Sequence, residues 1–101
     1  MTIKGLTDFE ENIIKKILFQ YSDKYKFYYY GSRVKGDFES LSDLDLLIKG
    51  ENKFPVEELC KIHTEFDNSN LPFVVNTADY HTIFPEFYEI IQKDLVDVFE
   101  W

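Results

Sequence analysis

The sequence predicts a small α/β (α+β) domain, a mixed β-sheet with helices packed on one face. Three observations carry this. Helical and strand-like segments alternate in the order α-β-(short turn)-β-α-β-α, and layering helices on a sheet is how such an order buries its apolar faces. The 101 residues suffice for one core and not two, so residues 1–101 read as a single domain. Hydrophobic residues at 45% and charged residues at 30% are the composition of a folded chain, and ten Phe and seven Tyr supply large side chains for burial.

The first helix begins at Thr7. Thr7 and Glu10 have capping-box spacing, and Asp8 adds negative charge to the first turn. Phe9, Ile13, Ile14, Ile17, Leu18 and Tyr21 follow as one apolar stripe. Lys26-Phe27-Tyr28-Tyr29-Tyr30, aromatic and bounded by turn residues, reads as a strand. It runs into Gly31-Ser32 and a short helical turn, Ser32 to Lys35, which Gly36 can end in the left-handed conformation. Residues 37–42 are polar loop. Asp43-Leu44-Asp45-Leu46-Leu47-Ile48 alternates and then becomes wholly apolar, a second and mostly buried strand. A second long helix starts near Pro55, with Val56, Leu59, Cys60, His63 and Phe66 on its apolar face. Pro72-Phe73-Val74-Val75-Asn76-Thr77 reads as a third strand. Pro85 opens a last helix with Phe87, Ile90 and Ile91 inward, and residues 95–99 fit either a closing strand or a helix extension. Exposed aromatics on the open sheet face, with Phe99 and Trp101, would mark an interface.

Charge narrows the partners. Lys plus Arg is 11 and Asp plus Glu is 19, a formal net charge of −8, which disfavours nucleic acid as a direct ligand because that affinity comes mostly from neutralised phosphates. No apolar run approaches the ~20 residues of a membrane span. The opening MTIKGLTDFEEN has no signal-peptide pattern, and the single Cys60 cannot form an internal disulfide or a multi-cysteine zinc site. The expectation is an acidic cytoplasmic domain.

Chemistry concentrates between residues 31 and 45. A strand delivers Gly31-Ser32 to the start of a helical turn. Glycine lets backbone approach a ligand closely, and the free N–H groups at a helix start bind phosphate. Ser32 adds a hydroxyl, and Arg33 and Lys35 add cations. Asp43 and Asp45 stand at i and i+2 of a strand, so both project to one face, about 7 Å apart along it, while Leu44 points into the core. Paired carboxylates share hard divalent cations, and Mg²⁺ typically takes one or two of them plus substrate phosphate oxygens. Together these features make a metal–nucleotide site.

Gly31-Ser32, ten residues, then Asp43-Leu44-Asp45 resembles the signature of the polymerase-β nucleotidyltransferase superfamily, and within it the minimal nucleotidyltransferase (MNT) group. The likeness extends through Leu71-Pro72-Phe73, Asp79-Tyr80 and Phe87-Tyr88-Glu89-Ile90-Ile91. It implies a polymerase-β-like fold, Asp43 and Asp45 as catalytic metal ligands, and Gly31, Ser32 and Arg33 as nucleotide-binding residues. It also implies Mg²⁺ or Mn²⁺ as cofactor, ATP as substrate, and transfer of AMP to a hydroxyl. Antibiotic nucleotidyltransferases carry a second domain for a small acceptor, so here the expected acceptor is a macromolecule. MNT proteins are commonly paired with a helical HEPN toxin, which the resemblance implies as partner. The family usually carries a third metal-binding carboxylate on the later strand, and Asn76 takes that place, a neutral ligand that cannot act as a general base. Asp79, three residues on, faces away in a regular strand. The alternative is a catalytically impaired antitoxin that binds nucleotide or partner and neutralises by contact. His63 with Cys60 reads as core, and His81 as surface.

Overall fold

The computed structural model describes Ile3 and residues 5–99, so Trp101 lies outside the described residues. Eight elements follow one another: α1 (Asp8–Leu18), β1 (Tyr25–Tyr30), α2 (Ser32–Lys35), β2 (Leu44–Gly50), α3 (Val56–Asp67), β3 (Val75–Asp79), α4 (Pro85–Ile91) and β4 (Val96–Asp97). The strands form one sheet in the order β3-β2-β1-β4. β1 is antiparallel to β2, from Tyr25 opposite Gly50 to Tyr30 opposite Asp45, and antiparallel to β4. β3 runs parallel to β2, with Asn76 beside Asp45, because α3 carries the chain back across the sheet. The last segment thus resolves as a short strand. No helix among the described residues is long and apolar enough to cross a membrane.

Strand alternation sorts the side chains. Phe27, Tyr29, Leu44, Leu46 and Ile48 face α1 and α3, where they meet Ile14, Leu18, Ile62 and Phe66. Phe54 fills the corner, its ring 4.7 Å from that of Tyr25 and 5.2 Å from that of Tyr21. The opposite face carries Tyr28, Tyr30 and Leu47, partly covered by Tyr88 and Ile91 of α4. The two long helices therefore take one face, as expected, and the short α4 covers part of the other.

Thr7 caps α1 with both hydrogen bonds of the capping box. Gly36 ends α2 at φ +96°, and its N–H reaches the Ser32 carbonyl. Four expectations shift. Phe9 is 62% exposed and Glu11 takes the inward place on α1, accepting from the Tyr29 hydroxyl at 3.3 Å. Burial first, then the Glu11 charge, pushes that phenol well above its ordinary range. On α3, which starts at Val56 behind the N-cap Pro55, the inward face runs through Leu59, Ile62, His63 and Phe66, while Val56 and Cys60 are exposed. The third strand begins at Val75, not Pro72. On α4, Tyr88 and Ile91 turn inward, and Phe87 and Ile90 do not. Phe99 is half-buried, in edge contact with the rings of Phe19 and Phe27.

Candidate active site

Gly31 stands between β1 and α2 with φ +85° and ψ −155°, a conformation that side chains rarely tolerate. Its carbonyl accepts from the N–H groups of Val34 and Lys35, so the turn closes immediately behind it. A Cβ on Gly31 would fall against Oδ2 of Asp45, so the backbone of the turn lies directly against that carboxylate. The Gly-Ser turn and the acidic strand thus form one surface.

Asp43 immediately precedes β2, Asp45 lies within it, and Asn76 is Asp45's neighbour on β3. The Asn76 amide donates to Asp43 Oδ2 at 3.1 Å and to Asp45 Oδ1 at 3.4 Å. The structure thus brings together Gly31, Asp43, Asp45 and Asn76, on the sheet face opposite α1 and α3. Burial raises the Asp45 carboxyl above its ordinary value, the Asn76 hydrogen bond opposes this, and Asp43's charge adds to the rise. Tyr30, opposite Asp45, has its phenol pushed up to about 12 by burial and then by the Asp45 charge.

The raised Asp45 carboxyl has a stability consequence. A carboxyl whose folded value lies above its unfolded value costs stability once pH exceeds both, and the cost disappears as pH falls below the unfolded value. Asp45→Asn should therefore raise the melting temperature by a few degrees at pH 7, with the difference shrinking toward pH 4. Thermal melts across that range check it; a mutant no more stable at pH 7 contradicts it.

Arg33 requires a correction. It is not a cation at a phosphate cradle but is 3% exposed, its guanidinium turned toward the loop before β2. Nε donates to the Ser42 carbonyl at 3.0 Å, and Nη2 to those of Ser42 at 2.8 Å and Ser40 at 3.0 Å. Nη1 donates to the Gly5 carbonyl. The Phe73 ring stacks on the guanidinium, with its centroid 4.0 Å away. Arg33 therefore braces the loop that leads into Asp43. Lys35 is half-exposed and pairs with Asp94 at 3.8 Å.

Asp79 does not join the trio. Its carboxylate accepts from the N–H of Phe54 at 2.7 Å and of His81 at 2.9 Å, which ties the end of β3 to the segment before α3 and to the turn that follows. His63 is half-buried with Nε2 2.9 Å from Thr77 Oγ1, and exposed His81 places Nε2 2.6 Å from the Gly50 carbonyl. Sequence reasoning missed Lys49, which donates to the Tyr88 hydroxyl at 3.1 Å and lies 4.6 Å from the Tyr80 ring centroid, tying α4 to the site face. Its signal was the i+4 position from Asp45, which alternation puts on the same face.

Two adjacent carboxylates suit a hard cation that also takes phosphate oxygens, so the pair fits Mg²⁺ or Mn²⁺, while Asn76 turns its NH₂ toward them as a donor. Among the described residues no three Asp, Glu, His or Cys side chains converge.

Residues 12–100 match the family described as Polymerase beta, Nucleotidyltransferase. The chain is 38% identical over 88 residues to the Probable protein adenylyltransferase MntA of Haemophilus influenzae, covering 87% of this chain and 77% of that protein. Among solved structures, a toxin–antitoxin crystallised with AMP-PNP matches at TM-score 0.72 and 18% identity, over 90% of this chain and 73% of that one. A mutant form of the toxin–antitoxin MntA-HpeT matches at TM-score 0.71 and 16% identity over the same shares. At these identities the two structures bear on the fold.

Proposed function

From the premise that the chain belongs to the polymerase-β nucleotidyltransferase family, we propose that it transfers AMP from ATP to a hydroxyl of a protein partner. In this reading it is the cytoplasmic antitoxin of a toxin–antitoxin pair whose toxin is a helical HEPN-type protein, and residues 1–101 act as one minimal nucleotidyltransferase domain. The observation that carries it is the convergence of the Gly31 turn with Asp43 and Asp45. The adenylyltransferase relative supports the acceptor class.

Each residue has a role. Gly31 and Ser32 would take the β- and γ-phosphates on backbone N–H groups and the Ser32 hydroxyl. Asp43 and Asp45 would hold Mg²⁺ or Mn²⁺, which when bound neutralises charge developing at the α-phosphoryl group. The acceptor oxygen bonds to the α-phosphorus as the bond to the pyrophosphate oxygen breaks, pyrophosphate leaves, and the hydroxyl proton passes to solvent water. Asn76, an amide, cannot take that proton.

That amide favours a second reading, an impaired enzyme that neutralises its partner by contact. Asn76→Asp discriminates. General-base help is worth about 10²–10⁴-fold, so Asn76→Asp should raise transfer of labelled AMP roughly tenfold or more over the weak transfer expected of the unmodified chain. The assay uses α-labelled ATP and Mn²⁺, with the purified partner or the chain itself as acceptor and Asp43→Asn as blank. Transfer only by Asn76→Asp supports the impaired reading. No transfer by either form refutes the enzyme. Full transfer by the unmodified chain, unchanged in Asn76→Asp, refutes the role given to Asn76.

A further inference from the structure

We propose that the outer face of α4 docks a basic, amphipathic protein surface and brings its hydroxyl to the carboxylate pair. The proposal rests on the transferase reading and adds the surface that receives the acceptor.

Three apolar side chains are exposed along this segment: Phe84, at the N-cap of α4, at 75%, Phe87, on the flank that meets Tyr30, at 38%, and Ile90 at 65%. They are not left over from the core, because Tyr88 and Ile91 already bury the inward side of the helix. Contiguous apolar patches of this kind on a polar chain mark interaction sites, and exposed aromatics are frequent binding anchors. The patch adjoins the site. Phe87 meets the ring of Tyr30 edge-on at 6.0 Å, and Tyr30 stands opposite Asp45 in the β1–β2 register. A partner seated on α4 therefore lies next to the acidic pair.

Charge specifies the occupant. Glu86 and Glu89 sit between the apolar residues in sequence, are exposed, and have no ion-pair partner among the described residues. Asp43 and Asp45 lie beyond Tyr30, and the chain carries a net charge of −8. An apolar centre with an unpaired acidic rim complements a basic amphipathic protein surface and repels a polyanion. A second copy of this acidic chain would place like charges against one another.

The test measures binding, so it does not depend on turnover. The probe is a synthetic amphipathic helical peptide with a leucine face, a lysine rim and one tyrosine. Its control replaces every lysine by glutamate. The unmodified protein should bind the basic peptide and not the acidic one. Phe84→Ser and Ile90→Ser, both at exposed positions, should each weaken binding tenfold or more while leaving ATP–Mn²⁺ binding unchanged. Glu86→Lys with Glu89→Lys should reverse the preference between peptides. Equal binding by all variants, no binding of the basic peptide, or a homodimer in sedimentation that Ile90→Ser dissolves would each overturn the proposal. Loss of the transferase reading would instead appear as absent ATP–Mn²⁺ binding or AMP transfer with the peptide result intact.

Discussion

Gly31→Val should weaken ATP binding in the presence of Mn²⁺ about a hundredfold, while Ser32→Ala should weaken it by about tenfold at most. The asymmetry follows from two facts about one position. Gly31 holds φ +85°, which a β-branched residue adopts only with strain of roughly 1–3 kcal/mol. Its missing Cβ also leaves the room that Asp45 Oδ2 occupies, so valine displaces the carboxylate as well as blocking the phosphate approach. Ser32→Ala removes a single hydroxyl donor, whose place a water can take, and keeps the backbone donors. Calorimetric titration of both variants, with circular dichroism to verify folding, decides it. A larger loss for Ser32→Ala would mean that the hydroxyl dominates the cradle.

Arg33→Ala should lower stability by about 3 kcal/mol or more, a fall in melting temperature of roughly 12–24 °C for a chain of this size. It strips donors from the carbonyls of Gly5, Ser40 and Ser42 and removes the cation from the Phe73 face. Arg33→Lys should recover little, because one ammonium cannot reproduce the planar fork. Thermal melts measure both. A phosphate-binding Arg33 would show the opposite pattern, with ATP affinity lost and the melting temperature hardly changed.

What the sequence reveals about this chain depends on how local each signal is. The Thr7–Glu10 cap, the Gly36 stop and the Gly31-Ser32 to Asp43 spacing lie within a few turns of chain, and the structure places them where they were read. Asn76 has no local signal of its own, and the parallel pairing of β2 with β3 sets it beside Asp45. Arg33 was misread because a cation after Gly-Ser has the look of a phosphate ligand, whereas its partners are carbonyls up to 28 residues away that no side-chain pattern reports. Pro72-Phe73 has strand composition but lies outside the β2–β3 register, and Val74 reaches β2 only through its carbonyl, which accepts from the Leu44 N–H at 2.8 Å. The inward face of α4 was misassigned because seven residues span too few turns to establish a period.

The strand order has an evolutionary consequence. Asp45 sits on β2, hydrogen-bonded on both sides, where any change is felt by two neighbouring strands. Asn76 sits exposed on β3, the outermost strand, where a new side chain disturbs little besides the acidic pair it faces. Asparagine and aspartate differ by a single base in their codons. On the proposed reading of Asn76 as the third ligand position, that position is the part of the site a lineage can exchange in one mutational step, without renegotiating the fold.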